Sequence, residues 1–330
     1  MKPFNVFPYD SRIPFMRMGG FSIALSVLLV LVSLGAMAYN TVRDGSPFNF
    51  ALDFTGGMVS EIRFDKPVDV DDVRARLDAA GFDGAQVQTF GSGNDLLIRL
   101  RPDGGGTADG AEQSELNDRT AREVTDALAY PDNPGRVMRT EFVGPQVGRD
   151  LALNGMWAII FVVVGFLIYI SMRFERKFAI AAVLTSLHDI IVVAGWFALT
   201  GREFDLTVLA GLLSVLGFSI NDTIVVFDRI RENFRGMRAS PTEIINASIN
   251  QTLSRTVITS VVSLLTMLAL YFYGGGSLAG MAEAMIMGVI FGTLSSIFVA
   301  APLLDRGALK VTKQDLMPKA RDDAELARRP

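Results

Sequence analysis

Six long apolar stretches dominate the pattern of hydrophobic and polar positions along this chain of 330 residues. At about 1.5 Å per residue, each is long enough to cross the roughly 30 Å hydrocarbon core of a bilayer as an α-helix. The pattern therefore predicts an α-helical polytopic membrane protein with six transmembrane helices, called spans one to six below. They occupy residues 21–39, 151–172, 178–200, 206–227, 253–273 and 278–304.

Basic residues are concentrated in alternate connections between these spans. The segments that are rich in arginine and lysine are 173–177, 228–252 and 305–330. The two opposite connections, 201–205 and 274–277, contain only one basic residue, Arg202. The positive-inside rule therefore predicts that the basic connections are cytoplasmic, together with the N-terminal segment 1–20 and the tail 305–330.

The long segment 40–150 then lies on the opposite, periplasmic side, because long loops cross the membrane largely regardless of their charge. Its short apolar runs alternate with polar positions in the manner of strands, and two longer runs have helical spacing. The resulting order, β-α-β-β-α-β, predicts an α+β ferredoxin-like periplasmic domain between spans one and two. The predicted strands are 58–64, 85–90, 95–100 and 136–142, and the predicted helices are 70–80 and 112–129.

Composition agrees with a membrane protein and excludes several functions. Half of the residues are hydrophobic (50%), mean hydropathy is +0.34, and the net charge of −4 argues against nucleic acid as a partner. The chain has no cysteine and one histidine, which leaves little for a transition metal. The nucleotide-binding, hydrolase and zinc-protease motifs are missing, so neither an enzyme nor a bound cofactor is expected.

The most informative polar residue is Asp222, a carboxylate inside span four with Asn221 beside it. An ionised aspartate at the centre of a span costs roughly 2.5–3.5 kcal/mol, so such residues face a bundle interior or a water-filled path. The functional interpretation is a proton or cation site. The alternative is that both side chains form only interhelical hydrogen bonds.

Span five offers a partner for this acid. Arg255 lies near its start and Asp222 near the end of span four, so the two residues of these antiparallel helices lie at similar depth and are predicted to pair. The alternative is that Arg255 extends to lipid headgroups and never meets Asp222. A polar stripe accompanies the arginine at helical spacing: Gln251, Thr252, Thr259, Ser263 and Thr266.

Span three carries His188 and Asp189 near its middle. Both are candidates for a proton relay, since charge at this depth is rare, although a lone histidine is often a hydrogen-bonded packing residue. Glycines in spans four and six are expected to allow close helix packing. These are Gly211, Gly217, Gly288 and Gly292.

Several longer motifs resemble the SecD/SecF family of bacterial protein-export membrane proteins. The first, LDFTGG, follows span one and contains Leu52, Asp53, Phe54, Gly56 and Gly57. The other motifs are FSINDTIVVFDRIREN at 218–233, NQTLSRT at 250–256, GTLSSIF at 292–298 and LHD at 187–189. The resemblance covers nearly the whole chain.

This resemblance implies a function that composition cannot reach. A family member of this type pairs with SecD, associates with the SecYEG translocon and with YajC, and uses the proton-motive force to promote export of unfolded polypeptides across the inner membrane. In this family, an acid in span four and an arginine in span five are implicated in proton passage. These two residues correspond to Asp222 and Arg255 here. Na⁺ in place of H⁺ stays open, as do two other functions: a proton-coupled exporter of small molecules or lipids, and a scaffold that transports nothing.

Overall fold

The computed structural model describes residues 11–82, 85–90, 94–100 and 110–316. The chain divides into two compact units, one formed by 1–49 with 158–330 and the other by 50–157. Within the described ranges, six helices are long and apolar enough to cross a membrane. They comprise α1 (Gly19–Asp44), α5 (Pro145–Arg173), α6 (Arg176–Thr200), α7 (Leu206–Gly236), α8 (Pro241–Tyr273) and a last helix that starts as α9 (Gly276–Ser295).

The second unit contains the predicted α+β domain. A four-stranded antiparallel sheet has the order β3-β4-β2-β5, and the chain order β2-α3-β3-β4-α4-β5 is that of a ferredoxin-like fold. The elements are β2 (Gly57–Arg63), α3 (Val70–Ala79), β3 (Gln86–Phe90), β4 (Asp95–Leu100), α4 (Gly110–Ala127) and β5 (Arg136–Val143). These bounds lie within two residues of the predicted ones.

Alternation along the strands builds the core of this unit. Met58 and Ile62 of β2 and Leu96 and Ile98 of β4 are buried with Val73 of α3. On the opposite face of the sheet, Arg63 lies opposite Asp95 in the register, and its guanidinium donates to both carboxylate oxygens over 2.6 and 3.1 Å. This arrangement holds the pKa of Asp95 below its usual value.

The membrane helices extend beyond the predicted spans. The connection 228–252 was predicted between spans four and five, but the structure is helical there except at 237–240. A capping box starts α8, because Ser240 and Glu243 each satisfy the other's backbone N–H. Pro241, at the first helical position, also favours a helix start.

The last helix is interrupted rather than straight. After α9, residues Ser296–Ala300 form a π-helical turn, and α10 (Ala301–Asp305) follows directly. Pro302 explains the turn, because its ring lacks an N–H and crowds the carbonyl four residues earlier, which a wider turn accommodates. The remaining short elements are β1 (Asn49–Phe50), α2 (Leu52–Thr55) and β6 (Glu203–Phe204).

Side-chain amides hold the N-terminal segment against α8. Asn250 accepts from the backbone N–H of Ile13, and Asn246 accepts from that of Met16, each over 3.0 Å. After α10, Lys177 donates to Asp315 over 2.8 Å, and Leu316 is buried. The described segments 11–18 and 306–316 therefore both pack on the same end of the helix bundle.

Candidate functional site

Asp222 lies near the middle of α7, with only 3% of its surface exposed. The hydroxyl of Ser260 on α8 lies beside its carboxylate. Thr293 of α9 in turn donates to Ser260 Oγ over 2.6 Å. Asp222 Oδ2 has no hydrogen-bond partner among the residues that the structure describes. A buried and incompletely satisfied carboxylate therefore lies where α7, α8 and α9 meet.

The predicted pair of Asp222 and Arg255 is not a direct contact. Arg255 interacts with the carboxylate electrostatically, but neither an ion pair nor a hydrogen bond joins these two described residues. The reason is the rotation of α8: Thr256 and Ser260 occupy its buried face, which turns Arg255 outward. Gln251 of the predicted polar stripe is exposed with it, whereas Thr252 is buried.

Asn221 also points away from the buried acid. It is exposed, whereas its neighbours Asp222 and Thr223 are buried, because successive residues of a helix face directions about 100° apart. The structure therefore does not bring Asn221 together with the carboxylate of Asp222. A role for Asn221 in ion passage stays a prediction.

Asp189 forms the second polar cluster of the bundle and is 1% exposed. Its Oδ1 lies 2.9 Å from His188 Nδ1. Its Oδ2 accepts from Ser219 of α7 and, over 2.7 Å, from Ser295 of α9. One carboxylate thus joins three helices, and the last donor directly precedes the π-helical turn.

His188 is only partly satisfied by this cluster. Its Nε2 is buried without a hydrogen-bond partner in the part of the chain that the structure describes. Since Ser219 and Asp222 are three residues apart on α7, and Ser295 and Thr293 are two apart on α9, the clusters around Asp189 and Asp222 are neighbours. The structure therefore brings His188 and Asp189 of span three close to Asp222 of span four. It does not bring Asn221 or the side chain of Arg255 to these residues.

Three of the four predicted packing glycines lie at helix contacts. A Cβ atom at Gly211 would lie 2.7 Å from Ala284 Cβ, and one at Gly288 would overlap the side chain of Val215. At Gly292 it would lie 3.3 Å from Ser219 Cβ, so this glycine lets α9 approach the Asp189 cluster. The prediction is wrong for Gly217, which does not lie at a helix contact. It faces open space, with no atom within 4 Å of the added Cβ.

The glycines of the LDFTGG motif have a backbone role. Leu52–Thr55 forms the single turn α2, after which Gly56 and Gly57 have φ of 70° and 121°. A residue with a Cβ rarely adopts these values, so the pair allows the chain to turn from α2 directly into β2. Gly148 packs against this turn, because an added Cβ would lie 2.9 Å from the carbonyl oxygen of Phe54.

The residues of the site that sequence reasoning did not identify are hydroxyls. Ser219, Ser260, Thr293 and Ser295 are short polar side chains in apolar helices, and only their partners make them informative. A usable signal exists on α8, where hydroxyl residues recur every four positions from Ser248 to Ser260.

Comparison with known proteins shows to which family this chain belongs. The family model described as "Protein export membrane protein SecD/SecF, C-terminal" matches residues 124–308, and "SecD/SecF GG Motif" matches residues 45–68. The protein translocase subunit SecF of Vibrio alginolyticus is 40% identical over 316 residues, 96% of this chain and 95% of that relative. This chain belongs to the SecD/SecF family. The SecF subunit of Pseudomonas aeruginosa is likewise 40% identical over 312 residues, 94% of this chain and 96% of the relative.

A solved structure shows the same fold. The crystal structure of SecDF from Thermus thermophilus, described as a translocon-associated membrane protein, matches with a TM-score of 0.76 and 35% identity. The match covers 91% of this chain but 39% of the SecDF chain. The predicted six-helix membrane architecture with an α+β domain is confirmed, and the chain is a multi-pass SecF-type component of protein translocation, not an enzyme.

Proposed function

We propose that this chain couples the proton-motive force to protein export through Asp222, as the SecF-type half of a SecD/SecF complex that works with the SecYEG translocon and YajC. The observation that carries the proposal is the state of the carboxylate: it is buried, and its Oδ2 lacks a partner among the described residues. Such a group changes its contacts when it gains or loses a proton. Asp189, with three partners, is held in one arrangement.

The energy available from the membrane potential is similar to the cost of ionising an acid inside a span. One charge that crosses the full membrane field gains roughly 2.3 kcal/mol per 100 mV, comparable with the roughly 2.5–3.5 kcal/mol cost of an ionised aspartate at a span centre. Protonation at Asp222 can therefore shift how α7 packs on α8 and α9. In this proposal the shift moves the periplasmic domain, which holds or releases the emerging unfolded polypeptide.

Arg255 belongs to the same proposal. Its side chain is exposed in the single chain while it interacts electrostatically with Asp222. We assign the exposed side of α8 to the interface with SecD, where Arg255 would tune the charge near the acid without a direct ion pair. The orientation is that of the positive-inside rule, with both termini cytoplasmic.

The test is export driven by an ion gradient. Inner-membrane vesicles that contain the full chain, SecD and the channel are compared as wild type, Asp222→Asn and Asp228→Asn, at equal complex assembly. Asp228 is a control acid on the same helix, paired with Arg173. Release of an exported polypeptide should respond to a proton gradient in wild type and Asp228→Asn, but not in Asp222→Asn.

An equal response in all three forms would make Asp222 structural and favour the scaffold function. Replacing the proton gradient with a Na⁺ gradient identifies the coupling ion. Ion flux that depends on a small-molecule or lipid substrate, without an effect on polypeptide release, would favour the exporter function.

A further inference from the structure

The buried side of α8 carries a line of hydroxyl groups. Ser248, Thr252, Thr256 and Ser260 follow one another at intervals of four residues, and their exposed fractions are 0, 6, 1 and 7%. This spacing places them one above another on a single face of the helix. At about 1.5 Å per residue, the line covers about 18 Å of α8.

The two ends of this hydroxyl line contact different surroundings. At one end Ser260 lies beside Asp222. At the other end Ser248 accepts from Asn233 Nδ2 over 2.9 Å, and the same nitrogen lies 2.9 Å from the side-chain oxygen of Gln251, which is exposed. The line therefore joins the buried acid to the polar surface near the N-terminal end of α8.

Most hydroxyls of the line are satisfied by their own helix. Ser248, Thr252 and Ser260 donate to carbonyl oxygens of the preceding turn over 2.7, 3.0 and 2.7 Å. Such bonds are common for serine and threonine in helices and need no function. They also use the hydroxyl proton, so the oxygen lone pairs stay available to a donor or a cation.

Thr256 is the exception that points to an occupant. Its Oγ1 is fully buried and has no hydrogen-bond partner among the described residues, and the same is true of Asp222 Oδ2. An unsatisfied buried polar atom costs about 1–3 kcal/mol, and each one in a native structure requires an explanation such as a water or an ion. Here two such atoms, Thr256 Oγ1 and Asp222 Oδ2, flank Ser260 at the junction of α7 and α8.

We propose that the hydroxyl line of α8 is the route by which the coupling cation moves between Asp222 and the polar surface at Ser248, with Thr256 as its necessary middle step. The inference rests on the proposed function of Asp222. Successive hydroxyls are about 6 Å apart along the axis, which one bridging water can span with two hydrogen bonds. A proton leaves the Asp222 carboxyl for the first water, the carboxylate remains, and one proton is delivered at Ser248.

The same oxygen-lined route suits Na⁺, since lone pairs of hydroxyls and carboxylates coordinate either cation. The chemistry is therefore that of a monovalent cation held by oxygen, and H⁺ and Na⁺ are distinguished by measurement. Parallel recordings of proton and Na⁺ uptake identify which ion moves, and uptake of either ion through the line supports the inference.

The experiment uses the full chain with SecD in proteoliposomes, and it measures ion uptake under an imposed gradient together with thermal stability. Thr256→Val should lower uptake about tenfold, equivalent to about 1.4 kcal/mol in the barrier. Its thermal stability should be close to that of the wild type, because valine replaces the hydroxyl with a methyl group of similar size and leaves no cavity. Thr256→Ser retains the hydroxyl and should retain uptake.

Two controls make failure interpretable. Thr185→Val removes a fully buried hydroxyl that donates to a carbonyl oxygen of its own helix, α6, away from the line, and it should leave uptake unchanged.

If Asp222→Asn abolishes uptake while Thr256→Val does not, the route is overturned and the function of Asp222 stands. If Asp222→Asn retains uptake, the proposed function fails first. If Thr256→Val does not assemble, Thr252→Val and Ser260→Ala replace it, and full uptake in both overturns the route.

Discussion

At the scale of single residues, two buried carboxylates differ in how they are satisfied. Asp189 accepts hydrogen bonds from two helices and contacts His188, whereas Asp222 has a carboxylate oxygen without a partner in the described ranges. A fully satisfied buried acid fixes the packing around it, and removing one donor is expensive. An incompletely satisfied acid is free to exchange a proton or ion. We therefore expect Asp189 to act as a positioning residue in this bundle, and a part for it in a proton relay stays a prediction.

Ser295 and the adjacent Ser296 test this role. Ser295→Ala removes the donor to Asp189, whereas Ser296→Ala removes a buried hydroxyl that bonds only its own helix, at Thr293 O. We expect Ser295→Ala to lower the free energy of unfolding by about 1.5–3 kcal/mol more than Ser296→Ala, the value of a hydrogen bond to a charged group. Thermal unfolding of both variants in detergent measures the difference, and equal losses would contradict a positioning role for Asp189.

The second unit contains a phenol with an observable titration. Partial burial and, after it, a 2.6 Å hydrogen bond to Asp72 raise the pKa of Tyr130 to about 12, from 10.0 in the unfolded chain. The stability that this interaction contributes is fully present below pH 10 and is lost as the pH rises from 10 towards 12, because the unfolded chain releases the proton first.

The pH dependence of unfolding checks this shift. Between pH 10 and 12 the wild type should lose more stability than Tyr130→Phe, which has no phenol proton to release. Other groups titrate in this range in both proteins, so the difference between the two curves isolates Tyr130. Parallel curves would show that its pKa is not raised.

At the scale of elements, glycines set how closely the helices approach. Gly288 of α9 meets Val215, and Gly292 lies against Ser219, so α7 and α9 pack through their backbones along the surface that carries both polar clusters. Small residues permit this approach in membrane helices, where no hydrophobic force drives helices together. The distance between α7 and α9 therefore also fixes the geometry of the site.

Gly288→Ala and Gly217→Ala form a matched pair on this point. The new Cβ at Gly288 overlaps Val215, so we expect a loss of about 1–3 kcal/mol from overpacking. At Gly217 the Cβ enters open space, and alanine is the better helix former, so stability should not fall. Unfolding of the isolated full chain measures both, and a similar loss at both positions would show that helix contact is not the cause.

At the scale of the whole molecule, the chain consists of two compact units, and the matches to one family include residues of both. The family matches cover most of the membrane unit and the LDFTGG turn, while the chain spans 39% of the related SecDF chain. The exposed Arg255 and the buried Asp222 interact without contact, which is consistent with the proposed interface between α8 and SecD. The gradient-driven export assay belongs to this scale, because the proposed coupling requires the chain to be assembled with SecD and the channel.

The sequence by itself determined the elements and the family. Apolar length, two-residue alternation and turn residues are local properties, and the free energy of burying an apolar stretch does not depend on which helix lies beside it. They therefore predicted the six helices and the β-α-β-β-α-β order. The motifs predicted the family, and Asp222 was apparent because a charge in an apolar span is costly in any fold.

Only the tertiary structure decided which side chains meet. The rotation and register of packed helices place Asn221 and Arg255 outward and open Gly217 to space. They also bring Ser219 and Ser295 to Asp189, from positions 30 and 106 residues away along the chain. Such contacts depend on packing across several helices at once, and the helical period of one segment contains no information about the face that its neighbours present.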